Sequence, residues 1–152
     1  MIEKDKILLY DKNDMFVIDF IDSLYSKLPD FGKEIKDFIA KVLPFVSLVV
    51  GILIVFSSII DLLGTPFLTA FTTGGGATIF QKLMIVNILG LIEGVLLIVA
   101  FRGLRKRKMM GWRLIFWSQV IFIFSAILSF SPSFVLGLLF FYPLFQIRGI
   151  YR

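Results

Sequence analysis

The sequence contains no cysteine and no histidine. Disulfide staples, Cys/His metal sites and any Cys or His nucleophile or base are therefore excluded. Charge is scarce as well, and it is segregated. Residues 1–41 hold nine of the eleven acids and seven of the sixteen bases. After Lys41 only Asp61, Lys82 and Glu93 interrupt the chain before Arg102. The first twenty residues carry eight charged side chains and lack an apolar core or small-residue cleavage site, so no signal peptide is expected.

What remains is oil. Hydrophobic residues make up 58% of the chain and charged residues 18%, against roughly 45–50% and about 25% in a soluble domain. A soluble core of this size would have to expose large apolar patches. The expected fold is all-α: a four-helix transmembrane bundle preceded by an N-terminal amphipathic helix. Spans are expected at about residues 42–63, 82–101, 112–130 and 132–147. About 20 apolar residues at 1.5 Å rise cross a hydrocarbon core of ~30 Å. The division is then a cytoplasmic or interfacial segment, 1–41, and a four-span domain, 42–152.

Within the first segment, residues 13–28 read as an amphipathic helix. At 100° per residue, Val17, Ile18, Phe20, Ile21, Leu24, Tyr25 and Leu28 share an arc of roughly 160°. The opposite side is acidic, so attraction to anionic lipid is weak, and docking against the protein's own cytoplasmic face or a partner is expected at least as much as lying in the interface. A second copy or another protein is the partner expected there. Pro29 ends that helix, and Asp30 is placed to cap the next one. Pro44 puts a kink in the opening turns of the first span. The stretch from Gly64 to Gln81, with Gly64, Pro66 and Thr72-Thr73-Gly74-Gly75-Gly76, reads as an irregular connection lying on the membrane or dipping into the bundle. Ser131 reads as an N-cap with Pro132 at the first helical position.

Six bases and no acid lie between the second and third spans: Arg102, Arg105, Lys106, Arg107, Lys108 and Arg113. Short basic loops stay in the cytoplasm. The expected orientation in the plasma or inner membrane therefore has both termini cytoplasmic. Trp112 and Tyr151 fall at that interface, where amphipathic rings are enriched. Arg105, Lys106, Arg107 and Lys108 are expected to meet lipid head groups at about 1 kcal/mol per base. In a chain this apolar the run is a topology signal, and nucleic acid is not an expected partner.

Glu93 is the most informative residue. It sits near the middle of the second span, about 12 Å below the basic interface. An acid there costs roughly 2.5–3.5 kcal/mol, so it should face protein or water. One reading is a proton or cation site; the other is a structural acid that fixes helix register. Gln119 lies at similar depth on the third span, within reach of a hydrogen bond. With Asn87 these form the candidate intramembrane polar site. Asp61 and Lys82 sit at span ends and are placed to pair or to anchor there. Small residues recur at four-residue spacing, as Ser47 with Gly51, Gly90 with Gly94, Ser125 with Ser129 and Ser133 with Gly137. This spacing lets helix backbones approach. Gly90 and Gly94 flank the acid and are the pair expected to line a cavity.

The glycine run at 74–76 lacks the phosphate-binding pattern G-x-x-x-x-G-K-[ST]. Asp61 and Glu93 lie at different depths, so they cannot act as the paired carboxylates of a hydrolase, which stand about 5–10 Å apart. No catalytic activity, cofactor or metal is expected.

The stretch Gly103-Leu104-Arg105-Lys106-Arg107-Lys108, followed by Gly111-Trp112-Arg113-Leu114-Ile115-Phe116, resembles short bacterial membrane proteins, some labelled chromate transporter. The resemblance covers the second and third spans and implies anion transport. The chain departs from that in having no base in mid-span to coordinate an anion, and no functional residue is carried over. The composition points first to a non-catalytic scaffold or accessory subunit. The alternative is an oligomeric transporter or channel subunit for a small ion, using Glu93.

Overall fold

A computed structural model describes residues 29–72 and 77–151, with Ile18, Phe20, Ile21, Ser23 and Tyr25 before them. For 65–72 and 77–81 it describes the backbone alone. The chain forms two compact units, residues 1–32 and 33–152.

In the first unit the five described positions before Pro29 are helical, and the Ser23 hydroxyl donates to the Phe20 carbonyl at 2.7 Å. Ile18 is buried, Ile21 and Tyr25 are half-buried, and Phe20 is exposed. Phe20 thus falls outside the buried side, because it sits roughly 160° around a helix axis from Ile18. The remainder of the helix expected over 13–28 lies outside the described residues.

The second unit is all-α. Its helices are α1 (Lys33–Thr72), α2 (Ala77–Arg105), α3 (Met109–Leu128) and α4 (Ser133–Gln146), closed by a 3-10 turn at Arg148–Ile150. Among the described residues four helical segments are long and apolar enough to cross a membrane: Lys33–Gly64, Lys82–Arg105, Met109–Leu128 and Ser133–Ile150.

The irregular connection expected from Gly64 to Gln81 is helical instead, except for residues 73–76, which lie outside the described residues. Gly64 and Pro66 sit inside α1 rather than ending it. Breaker rules assume water to satisfy freed backbone groups; near lipid an unmade backbone hydrogen bond costs more than the propensity penalty. At the other end, α4 begins at Ser133, one residue later than Pro132. The Ser131 hydroxyl still receives the Ser133 amide, at 3.4 Å.

Packing follows chain order. Each helix lies mainly against the one before it, and among the described residues α1 and α4 have at most slight contact. Where their side chains are described, every buried residue of α1 is small or cyclic: Ala40, Pro44, Ser47, Gly51 and Ser58. These positions fall at steps of three, four and seven residues and make one stripe. The bulky residues Phe45, Val49, Leu53, Phe56 and Ile60 are exposed on the flank. A helix that buries its small residues and exposes its large ones suits a lipid solvent, where close backbone approach drives association. A β-carbon on Gly51 would come within 2.8 Å of the Gly94 carbonyl oxygen, and one on Gly94 within 2.9 Å of the Gly51 oxygen.

The aromatic core lies between α3 and α4. Trp112 is fully buried, stacked on Phe116 at 5.7 Å and edge-on to Phe145 at 5.4 Å. Tyr151 is also buried. Both rings therefore belong to the packed interior, because α4 and the final turn fold back over the start of α3.

Candidate functional site

Glu93 takes its position from the glycines beside it. Gly90 and Gly94 face α1, where added β-carbons would meet the Ser58 hydroxyl at 2.6 Å and Val55 Cγ2 at 2.7 Å. The pair is therefore filled by α1 and does not line a cavity. Glu93 lies about 100° around the helix from Gly94. Its side chain turns away from that crossing, toward the space enclosed by the other helices. It stands about 16 Å along the axis from Lys82 and about 18 Å from Arg105.

That space is a half-open cavity of about 440 Å³, with walls from all four helices. Glu93 and Leu97 come from α2, and Ser47, Val50 and Ile54 from α1. Ser118, Gln119 and Phe122 come from α3, and Phe140 and Leu144 from α4. Its surface is overwhelmingly apolar, and Glu93 is the one ionisable side chain among the lining residues. Only 8% of Glu93 is exposed, and among the described residues it makes no hydrogen bond or ion pair.

The other polar groups at the cavity are committed elsewhere. Gln119 Nε2 donates to the Gly137 carbonyl at 3.2 Å, not to Glu93. Gly137 allows this because α3 and α4 touch there: an added β-carbon would meet Ile123 Cγ1 at 2.5 Å. Ser47 donates its proton to the Pro44 carbonyl at 2.8 Å, and Ser118 donates to the Ile115 carbonyl at 3.0 Å. Both hydroxyl oxygens keep their lone pairs, so they meet a cavity occupant as acceptors. The Gln119 side-chain oxygen is an acceptor too.

The cavity thus brings Glu93, Gln119 and Ser47 together. Asn87 stays apart: it is half-buried, shares a face with Gly90 and Gly94, and does not line the cavity. Asp61 and Lys82 make no ion pair among the described residues; the Lys82 ammonium sits 4.5 Å from the centre of the Phe130 ring. Arg105, Lys106, Arg107 and Lys108 are all exposed around the α2–α3 turn. Ser118, Phe122 and Phe140 do not stand out in the sequence. For Ser118 the available signal is its place beside Gln119 in the otherwise apolar stretch 114–124; the two phenylalanines give none among eighteen.

No protein-family model matches the chain, and no curated protein or solved structure matches it.

Proposed function

We propose that this chain is a non-enzymatic multi-pass protein of the plasma or inner membrane that takes up a cation at Glu93, as a transporter or channel subunit. The observation that carries this reading is an unpartnered carboxyl, on a residue that is itself nine-tenths buried, lining a cavity at mid-span. An acid at that depth is costly unless something compensates it. A register-fixing acid would be sealed by a hydrogen bond, whereas Gln119 donates to Gly137 and makes no bond to Glu93. One carboxyl holds either a proton or another cation, and that exclusivity is the minimum chemistry of exchange. Both termini are assigned to the cytoplasm on the exposed bases of the α2–α3 turn. The cavity is only partly enclosed by the four helices, which favours a pathway completed by a second copy.

Cation-driven proton flux in proteoliposomes tests the reading. The parent should carry flux above protein-free vesicles, and Glu93→Gln should fall to their leak. Equal flux in parent and variant would remove Glu93 from the mechanism.

A second reading, a scaffold or accessory subunit, is favoured by the separate compact unit of residues 1–32. It expects a defined partner that is lost when residues 1–30 are deleted. Retention of the same partner by the shortened chain would dismiss it.

A further inference from the structure

The cavity's chemistry is specific enough to name a class of occupant. Resting on the reading that Glu93 takes up a cation, we infer that the groove binds an amphiphilic, monovalent organic cation entering sideways from the lipid. Its charge lies against the Glu93 carboxyl and its apolar body along α1 and α4.

Size is the first argument. A volume of about 440 Å³ is far more than a bare ion fills. It falls within the roughly 300–1,000 Å³ of sites that hold small organic molecules, which are mostly apolar with a few placed polar groups. Charge is the second. Glu93 is the sole ionisable lining residue, and no lysine or arginine lines the groove. One carboxylate balances one positive charge.

Donor chemistry separates organic from inorganic cations. A divalent metal such as calcium takes about six to eight oxygens at close range. Here one carboxylate, one amide oxygen and two hydroxyls are spread over three helices of a largely hydrocarbon wall. That set leaves a hydrated metal short of ligands and still in contact with apolar surface. An organic cation meets the same wall with its own hydrocarbon. Its N–H groups, where it has them, find acceptors in the Ser47 and Ser118 hydroxyl oxygens, whose protons are engaged with backbone carbonyls, and in the Gln119 amide oxygen, whose amide nitrogen already gives one of its two N–H groups to Gly137. Phe122 and Phe140 also line the groove. Aromatic rings near a delocalised cation add attraction.

The route follows from the packing. The groove has walls on both α1 and α4, and lining residues of both helices are exposed. Val46 and Val50 on one side and Phe140 on the other line it and are also exposed on the apolar flank. A solute already dissolved in the membrane reaches Glu93 between those walls without crossing a head-group layer.

The experiment uses the full chain in phosphatidylcholine nanodiscs, with radiolabelled tetraphenylphosphonium as probe and empty discs as background. Tetraphenylborate, a same-shaped anion, is measured separately. The parent should show saturable binding of the cation and none of the anion. Glu93→Gln should weaken binding about thirtyfold or more, the scale expected when one member of a buried charge pair is removed. Val50→Trp, which keeps the carboxyl and fills the groove from α1, should also weaken it, and it decides the matter if Glu93→Gln does not fold. Unaltered binding in the variants, saturable anion binding, or uptake no greater than that of empty discs would overturn the inference. Glu93-dependent small-ion flux without probe binding would sink this inference and leave the transport reading standing. Glu93-dependent probe binding without flux of any cation would do the reverse.

Discussion

The Trp112 indole Nε1 donates to the Leu144 carbonyl oxygen at 2.8 Å, tying the first turn of α3 to the last turn of α4. Carbonyls in a helix's last turn lack partners within the helix, and Leu144 finds one in a ring that is itself fully buried. The Arg148 guanidinium lies over that ring, 5.6 Å from its centre. Trp112→Phe removes the donor while keeping an aromatic ring, and should cost about 1–2 kcal/mol. Trp112→Ala adds a cavity and should cost about 3–5 kcal/mol. Denaturation of the detergent-solubilised protein measures both; a Phe variant as stable as the parent would show that the bond contributes nothing.

A tighter constraint closes the α2–α3 hairpin. A β-carbon on Gly103 would meet Gly111 Cα at 2.7 Å, and one on Gly111 would collide with the backbone of Gly103 and Leu104. These obstacles are main chain and cannot rotate away. Gly111→Ala should destabilise the protein by about 3 kcal/mol, at the upper end for overpacking. Gly149→Ala, where an added β-carbon meets nothing within 4 Å, should be near neutral. Equal melting temperatures for the two variants would contradict the close crossing.

The same turn holds a residue in an unfavourable conformation. Arg107 has φ 52°, with its amide on the Leu104 carbonyl at 2.9 Å and the Lys108 amide on the Gly103 carbonyl at 2.9 Å. This is a Schellman close, whose left-handed position usually belongs to glycine. The conformation costs an ordinary residue roughly 1–2 kcal/mol, while a glycine there gives the unfolded chain about 0.4–1 kcal/mol of extra freedom. Arg107→Gly should therefore stabilise the protein by up to about 1 kcal/mol. A lower melting temperature would mean that the guanidinium makes a compensating contact.

Tyr151 gives a pH signature. Its hydroxyl is buried and has no hydrogen-bond partner among the described residues. Burial pushes the phenol from 10.0 up to about 12, against the opposing pull of Arg107. The folded state therefore keeps a proton that the unfolded chain releases. Stability from this group is complete below pH 10 and declines as pH rises toward about 12. Tyr151→Phe should lose that decline and be at least as stable as the parent at neutral pH, since no bond is broken. Tyrosinate absorbance, compared between parent and variant, reports the late ionisation; one at the ordinary position would refute the burial.

Much of the fold was readable in the residues themselves. Long apolar runs made the four spans, and the glycine and serine spacing marked positions where helices approach. The continuation of α1 through Gly64 and Pro66 was not readable, because those residues act as breakers only where water can take up freed backbone groups. Glu93 stood out by depth alone. Its surroundings did not: which walls enclose it depends on how α1, α3 and α4 are arranged around α2, and no local pattern encodes that choice. Gln119 shares the cavity with Glu93 while bonding elsewhere, since Gly137 lets α4 come close enough to claim its amide.

Packing mainly in chain order bears on how the protein is made. Among the described residues, each helix finds its main partner in a neighbour along the chain. α1 can be secured as soon as α2 leaves the ribosome, and α2 as soon as α3 follows, so assembly can proceed in step with synthesis. Closing long loops between distant segments, the slow part of many folding reactions, has little place here.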